Sequence, residues 1–139
     1  MLRLTIVTPE GEVYDGPVER VVFPGSEGEF GVLEGHERFL SPLRIGEVSV
    51  TRSGETLYAA TSGGFADVSP DRAVAMVETC ELAEDIDVAR AEAARDRARA
   101  ELDKLSPGDA EQRSYRVQEQ ALQRALVRLQ AAGAGRGGR

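Results

Sequence analysis

The pattern of the sequence changes near residue 84, and this change constrains the fold more than any other feature. Before it, short stretches of alternating apolar residues are separated by Gly and Pro turns, as in Leu2–Val7 and Ile45–Thr51. Short, turn-bounded strands of this kind predict an antiparallel β-sandwich or barrel. After it, Glu84–Leu105 is rich in alanine and contains no Gly or Pro, which favours a helix. We therefore predict an all-β N-terminal domain followed by helices.

The C-terminal third is predicted to be an antiparallel α-helical hairpin. Asp85 is the expected N-cap of the first helix, and Ser106–Asp109 is a strong stop and turn. The second helix is expected from about Ala110 to Ala132, and its apolar face carries Tyr115, Leu122, Leu126 and Leu129. The first helix offers mainly small apolar residues to its partner: Ala93, Ala94, Ala98 and Leu102. The predicted domains are thus 1–84 (β-sandwich), 85–132 (hairpin) and 133–139, a flexible Gly/Arg tail.

A glycine-rich stretch, Pro24–His36, stands out within the β domain. Four of its residues are glycines, which allow repeated bends, but Phe30, Val32 and Leu33 must be buried somewhere. We interpret it as a structured corner that displays its polar side chains outward: Glu27, Glu29, Glu34 and His36. These groups suit contact with a partner better than catalysis.

Charge and composition exclude several classes of function. The net charge of −7 argues against a nucleic-acid surface or an anionic membrane surface for the chain as a whole. It divides into −10 for residues 1–85 and +3 for residues 86–139. One Cys and one His exclude a multi-ligand Cys/His metal site and an intramolecular disulfide. No signal peptide and no apolar stretch of bilayer length are found, so we expect no direct membrane insertion.

Neither an enzyme nor a simple binding protein is strongly indicated by the residues alone. The glycines of the corner do not lead into a helix, as a phosphate-binding loop requires. Cys80 and His36 are far apart in the sequence, with no motif for nucleophilic catalysis. A free-standing β-barrel that binds a small ligand under a helical lid remains the main alternative. Two short helices seldom persist alone in water, so a partner or ligand could move this hairpin.

Several motifs resemble the epsilon subunit of F-type ATP synthases. They occur in that family's order: Pro9-Glu10-Gly11, Pro24–Leu33, Gly35-His36, Phe39–Leu43 and the helical Ile86–Ala91, which is similar to the family's Ile/Leu-Asp-x-x-Arg-Ala box. The resemblance covers residues 1–132. It implies a non-catalytic rotor subunit of the central stalk, peripheral on the cytoplasmic face of the bacterial plasma membrane, that couples proton flow to ATP synthesis.

The resemblance also implies partners. The sandwich of this family binds the gamma subunit and the polar loops of the c-ring, and Glu29 and His36 match positions at that contact. The alternative is that Glu29 is a solvated turn carboxylate and His36 an ordinary surface histidine.

The hairpin is expected to regulate ATP hydrolysis. In some bacterial members it extends and contacts the alpha and beta subunits of the catalytic head, where its target is acidic. The matching basic side of the second helix is formed by Arg113, Arg116, Arg124 and Arg128. A merely solvated helix face is the alternative.

Nucleotide binding to the compact hairpin is a second expectation from the resemblance. No cofactor is required, but ATP is a possible regulatory ligand. The matching positions are Glu81, Ile86, Asp87, Arg90, Ala91, Arg97, Arg124 and Arg128. Asp87 and Arg90, three residues apart, could equally form only a helix cap and an ion pair.

Overall fold

A computed structural model describes residues 1–105 and 112–137 of the chain. The described residues form ten strands followed by two α-helices. The strands are β1 (Leu2–Thr8), β2 (Gly11–Val18), β3 (Arg20–Gly25), β4 (Gly28–Val32), β5 (Phe39–Leu43), β6 (Gly46–Arg52), β7 (Glu55–Thr61), β8 (Gly64–Val68), β9 (Arg72–Val77) and β10 (Cys80–Leu82). A short 3₁₀ helix, Ala83–Asp85, then leads to α1 (Val88–Lys104) and α2 (Gln112–Gly137).

All ten strands belong to one hydrogen-bonded sheet that folds over on itself. Its order is β10-β7-β6-β3-β5-β8-β9-β1-β2, with β4 paired to β3 beside this path. Every pair is antiparallel except β1 and β9, which run parallel. Alternate side chains of the strands point inward and form one core that includes Leu4, Phe23 and Val68, each no more than 1% exposed. The predicted β-sandwich followed by a helical hairpin is confirmed.

Helix α2 attaches the hairpin to the sandwich. It lies against β6, β7, β10 and the 3₁₀ helix, whereas α1 packs along α2. Strand β7 is therefore covered on both faces: Leu57 contacts the sandwich core, and Tyr58 and Ala60 contact the hairpin. A second apolar cluster forms at this contact, made by Ala60, Ile86, Val127, Ala131 and Ala132.

Several predicted boundaries were wrong. The apolar run Ala73–Cys80 predicts a single last strand, but β9 ends at Val77 and Cys80 begins β10, which pairs with β7. The first helix begins at Val88, and its N-cap is Asp87, not Asp85. The reason is Ile86, whose extended backbone places its side chain, 2% exposed, under α2 before the helix starts. The predicted turn at Ser106–Asp109 and the expected helix start at Ala110 lie outside the described residues.

The end of the second helix was also predicted wrongly. It continues to Gly137, so residues 133–137 are helical and do not form the expected flexible tail. Burial of Ala131, Ala132 and Ala134 against the rest of the protein outweighs the low helix propensity of the glycines.

The apolar faces of the two helices differ in part from the predicted ones. Ala98 is buried in α1 as expected, but Ala93 is exposed and Ala91 is buried instead. In α2 the predicted Tyr and Leu residues are only half-buried, and the most buried side chains are smaller: Ala125, Val127, Ala131, Ala132 and Ala134. Small side chains let the helix backbone lie close to the sheet.

The sandwich should be sensitive to a side chain at Gly64. A Cβ there would overlap the carbonyl oxygen of Met76 on β9, so two central strands would have to separate. We expect Gly64→Ala to lower the free energy of unfolding by about 3 kcal/mol, measured by urea denaturation. Gly16→Ala is the matched control, because its Cβ would come no closer than 3.9 Å to any neighbour. Equal midpoints for the two variants would contradict this packing.

Candidate functional site

Glu29 is displayed by a tight hairpin between β3 and β4. Gly25 faces Gly28 across the two-residue turn, and Gly28 has a φ of +133°, which favours glycine. A Cβ at Gly25 would lie 2.9 Å from the Phe30 ring, so the missing side chain lets that ring fold over the strand. Glu29, between Gly28 and Phe30, points to solvent and is exposed as predicted. The glycine-rich corner is thus a hairpin fixed by an aromatic ring.

His36 is held by a column of aromatic rings that rises from the core. Ring centroids are 5.6 Å apart for Phe23 and Phe30, 5.2 Å for Phe30 and Phe39, and 5.0 Å for Phe39 and His36. The Nδ1 atom of His36 also lies 3.0 Å from the carbonyl oxygen of Glu37. His36 is half-buried, so its ring has a defined position at the surface.

An exposed apolar row crosses the outer face of the sheet beside this hairpin. Phe65 on β8 lies opposite Pro42 on β5 and opposite Met76 on β9, and Met76 lies opposite Val7 on β1. Phe65 is 50% exposed and Met76 44%, and Leu40 on β5 is 64% exposed. We call these residues the apolar row: Val7, Leu40, Pro42, Phe65 and Met76. A contiguous exposed apolar surface of this kind is typical of an interaction site.

The apolar row and Glu29 belong to one surface. A pocket of about 380 Å³ is lined by Glu29 and by two residues of the row, Leu40 and Pro42. Sequence analysis did not identify the row. The available signal was the alternation in β8 and β9, where alanines point inward and the larger Phe65 and Met76 point outward.

The hairpin contact brings together three of the predicted nucleotide-binding residues. Glu81, Arg124 and Arg128 line a pocket of about 210 Å³ between α2 and the ends of β7 and β10. The Nε atom of Arg128 lies 2.8 Å from Oε1 of Glu81, and Nη2 donates to Oε2 at 3.4 Å. Because the two groups carry opposite charges at this distance, the contact is an ion pair. The buried Nε–H makes no hydrogen bond within the described part of the chain.

The other predicted residues of this site have separate positions. Ile86 and Ala91 are buried, and Asp87 caps α1 by accepting a hydrogen bond from the backbone N–H of Arg90 at 3.1 Å. The side chains of Arg90 and Arg97 are exposed on α1. In the described residues, no hydrogen bond or ion pair joins those two arginines to α2. Arg113 and Arg116 are exposed near the start of α2.

Cys80 is the one cysteine of the sequence, and its thiol is a poor nucleophile. Burial, with a smaller contribution from the Glu81 carboxylate, raises the pKa of the thiol to about 11. The reactive thiolate is therefore scarce at neutral pH. Among the described residues, no cluster of His, Cys, Asp and Glu could hold a metal ion, and no helix is long and apolar enough to cross a membrane.

Two family models together match nearly the whole chain. The ATP synthase Delta/Epsilon chain beta-sandwich domain matches residues 1–83, and the Delta/Epsilon chain long alpha-helix domain matches residues 84–133. The chain belongs to the delta/epsilon chain family of ATP synthase. This confirms the resemblance noted in the sequence, and the two matches meet within the 3₁₀ helix.

Curated relatives of this family are similar over almost their full length. ATP synthase epsilon chain 2 of Syntrophotalea carbinolica is 45% identical over 138 residues, which is 99% of this chain and 96% of that one. The ATP synthase epsilon chain of Geobacter sulfurreducens is 44% identical over 132 residues, covering 95% and 94% of the two chains.

Solved structures share the fold. A chain in the cryo-EM structure of the Euglena gracilis mitochondrial ATP synthase (OSCP/F1/c-ring) has a TM-score of 0.78 at 29% identity and covers 94% of this chain and 80% of that one. A chain in the Tetrahymena thermophila mitochondrial ATP synthase (central stalk/c-ring) has a TM-score of 0.58 at 14% identity, covering 94% and 96%. The second likeness shows the fold alone.

The contribution of the Asp87 cap to the folded protein can be tested directly. Asp87→Ala removes the acceptor of the Arg90 N–H and should destabilise α1 by about 1 kcal/mol. Asp87→Asn keeps a capping oxygen but removes the charge, so it should destabilise α1 by only a few tenths of about 1 kcal/mol. Amide hydrogen exchange of the first turns of α1 measures both, and equal protection in Asp87→Ala and the wild type would show that the cap contributes nothing.

Proposed function

We propose that this chain is a rotor subunit of the ATP synthase central stalk, non-catalytic, and that its sandwich joins the gamma subunit to the c-ring. The observation that carries this is the apolar row, an exposed apolar surface on an otherwise acidic domain, bordered by Glu29. Family membership supports it, as does the TM-score of 0.78 to a chain of an ATP synthase structure that includes a c-ring.

The surface offers two kinds of contact, which suit two partners. Phe65 and Met76 can bury apolar area against a helix of the gamma subunit, where aromatic and Met side chains contribute most. Glu29, at the tip of a rigid hairpin, can accept hydrogen bonds from polar loops of the c-ring. His36, whose ring lies 5.0 Å from that of Phe39, would add a third contact.

The location follows from these contacts. A subunit that binds the shaft and the exposed loops of the ring is held peripherally at the cytoplasmic face of the bacterial plasma membrane. Coupling of proton flow to ATP synthesis then requires only that the sandwich rotate with both partners. No cofactor takes part in this role.

We propose further that the hairpin regulates ATP hydrolysis and that ATP binds its compact form. Glu81, Arg124 and Arg128 already share a pocket, and guanidinium groups can hold phosphate oxygens bidentately. A ligand at 100 times its dissociation constant would stabilise the compact form by about 2.7 kcal/mol. When extended, the hairpin would present Arg113, Arg116, Arg124 and Arg128 to acidic groups of the alpha and beta subunits.

The alternative, a ligand-binding barrel with a helical lid, has less support. The interior of the sheet is filled by its own side chains, among them Leu2, Leu4 and Ile6, each no more than 1% exposed. A barrel that holds a ligand needs an open interior. Co-purification with gamma would separate the two functions.

A charge in the apolar row should prevent binding to gamma. We expect Phe65→Glu to weaken the affinity for purified gamma by about 10- to 100-fold, because the carboxylate would be buried without a partner. Isothermal titration calorimetry measures this affinity. Val117→Glu is the matched control, since Val117 is also an exposed apolar residue, 52% accessible, but lies on α2. Equal losses in both variants, or no loss at Phe65, would exclude the row from the interface.

A charge reversal compared with a matched control also tests the role of Glu29. In the reconstituted enzyme we expect Glu29→Lys to reduce ATP-driven proton pumping, whereas Glu55→Lys, an equal charge change at an exposed residue of β7, should not. Unchanged pumping in Glu29→Lys would leave Glu29 a solvated turn carboxylate.

Nucleotide binding should depend on Arg128 but not on Arg116, which belongs only to the proposed inhibitory contact. We expect Arg128→Ala to weaken ATP binding to the isolated protein by about tenfold or more, because it removes a charged hydrogen-bond donor, and Arg116→Ala to leave it unchanged. NMR chemical shifts of the hairpin during an ATP titration measure both. The absence of shifts in the wild type at millimolar ATP would eliminate nucleotide sensing.

Inhibition of ATP hydrolysis in the assembled enzyme should depend on Arg113 and Arg116, which lie outside the proposed nucleotide site. Replacing Arg113 and Arg116 together by alanine should raise ATP hydrolysis without a change in ATP binding to the isolated subunit. Unchanged hydrolysis would remove these arginines from the inhibitory contact.

A further inference from the structure

The C-terminal half of α2 presents a narrow, regular face to the sandwich. Arg128, Ala131, Ala132 and Gly135 are spaced by three, four and seven residues, so they lie on one side of the helix. Ala131 and Ala132 are no more than 1% exposed. Because the central side chains are so small, the helix backbone can approach the strand and the turn beneath it.

The helix backbone comes very near the 3₁₀ helix at Gly135. A Cβ on this residue would lie 2.5 Å from the Cβ of Ala83 in the 3₁₀ helix, a separation that two carbon atoms cannot adopt without movement. Ala83 has no flexible side chain that could turn aside, and it is itself 6% exposed. Gly133, two residues earlier, has no atom within 4 Å of such a Cβ. A methyl group is therefore sterically blocked at Gly135 but has free space at Gly133 in the same helix.

The other end of this face is held by charge. Arg128 pairs with Glu81, and both side chains are partly shielded from water, with 23% and 38% of their surface exposed. Glu81 and Ala83 are only two residues apart, and Ile86 follows under the same helix. All three docking points thus belong to one short segment, 81–86, which connects the sandwich to α1.

This placement has a mechanical consequence. The part of segment 81–86 that follows β10, residues 83–86, lies between the sandwich and α1, so it must reorient if the hairpin leaves. The same segment is covered by α2. The hairpin therefore cannot swing away until α2 separates from its own connecting segment.

We propose that segment 81–86 and the C-terminal half of α2 form a latch that holds the hairpin compact, and that the contact of Gly135 with Ala83 is its sterically closed point. A Cβ at residue 135 opens the latch and releases the hairpin while the sandwich stays folded. The latch is a property of the isolated chain, and only its effect on ATP hydrolysis rests on the proposed regulatory function.

The test compares three variants of the full-length protein. Gly135→Ala adds the colliding atom. Gly133→Ala makes the same chemical change in the same helix without a collision, and it favours the helix by the same intrinsic propensity. The double variant Ala83→Gly with Gly135→Ala moves the methyl group from one side of the contact to the other, so that the space is filled once again by a single methyl.

Amide hydrogen exchange measures local opening of the hairpin, and small-angle X-ray scattering measures the radius of gyration. For Gly135→Ala we expect exchange in residues 124–135 to accelerate by about 10- to 100-fold, since overpacking lowers the free energy of local opening, and the radius of gyration to increase. Protection of β1 and β9 should not change, which shows that the sandwich remains folded. Gly133→Ala should match the wild type or exchange more slowly, and the double variant should regain protection and compactness.

Three results would overturn the latch: wild-type exchange in Gly135→Ala, acceleration in Gly133→Ala equal to that in Gly135→Ala, or no recovery in the double variant. The regulatory function is judged separately. In the reconstituted enzyme, a released hairpin should inhibit ATP hydrolysis more strongly than the wild type. If the isolated variant opens as expected and hydrolysis is unaffected, the latch stands and the proposed regulation fails.

Discussion

The architecture depends on strand β7 being covered on both faces. Its inward side chains, Leu57 and Ala59, face the sandwich, and the hydroxyl of Thr61 donates to the carbonyl oxygen of Gly46 at 3.0 Å. Its outward side chains, Tyr58 and Ala60, lie under α2. The small Ala60 lets the helix approach the sheet closely. Since hydrophobic burial is the dominant favourable term in folding, the two-sided burial of β7 joins the helices to the sandwich.

Much of the fold could be predicted from the sequence because its signals are local. Alternation of apolar residues, Gly and Pro turns, and the alanine-rich segment identified the sandwich and the hairpin. Strand β10 was missed because its three residues, Cys80–Leu82, are too short to show a period, and only pairing with β7 defines them. The helical end of α2 was missed for a similar reason. Its glycines predict a flexible segment, and the position of Ala83 beside Gly135 is not visible in the sequence.

The candidate surface was predicted in part. Exposure of Glu29 followed from its place among glycines, which is a local feature. The aromatic column under His36 was not foreseeable, because Phe23, Phe30 and Phe39 come from three different strands. The apolar row depends on strand order in the same way: β8 lies between β5 and β9, and β9 is parallel to β1. The pattern of a single sequence does not show the register between strands that are far apart in that sequence.

The parallel pairing of β1 with β9 has a consequence for how the chain is made. Leu4 lies opposite Ala73, so β1 must wait for the synthesis of nearly seventy further residues before its second neighbour exists. Contacts of such long sequence separation slow folding. Until β9 is synthesised, one edge of β1 is unpaired and its apolar face is open to other chains. The nascent sandwich is therefore open to association with other chains until β9 is made, and the hairpin, which follows β9 in the chain, is synthesised after its docking surface on β6 and β7.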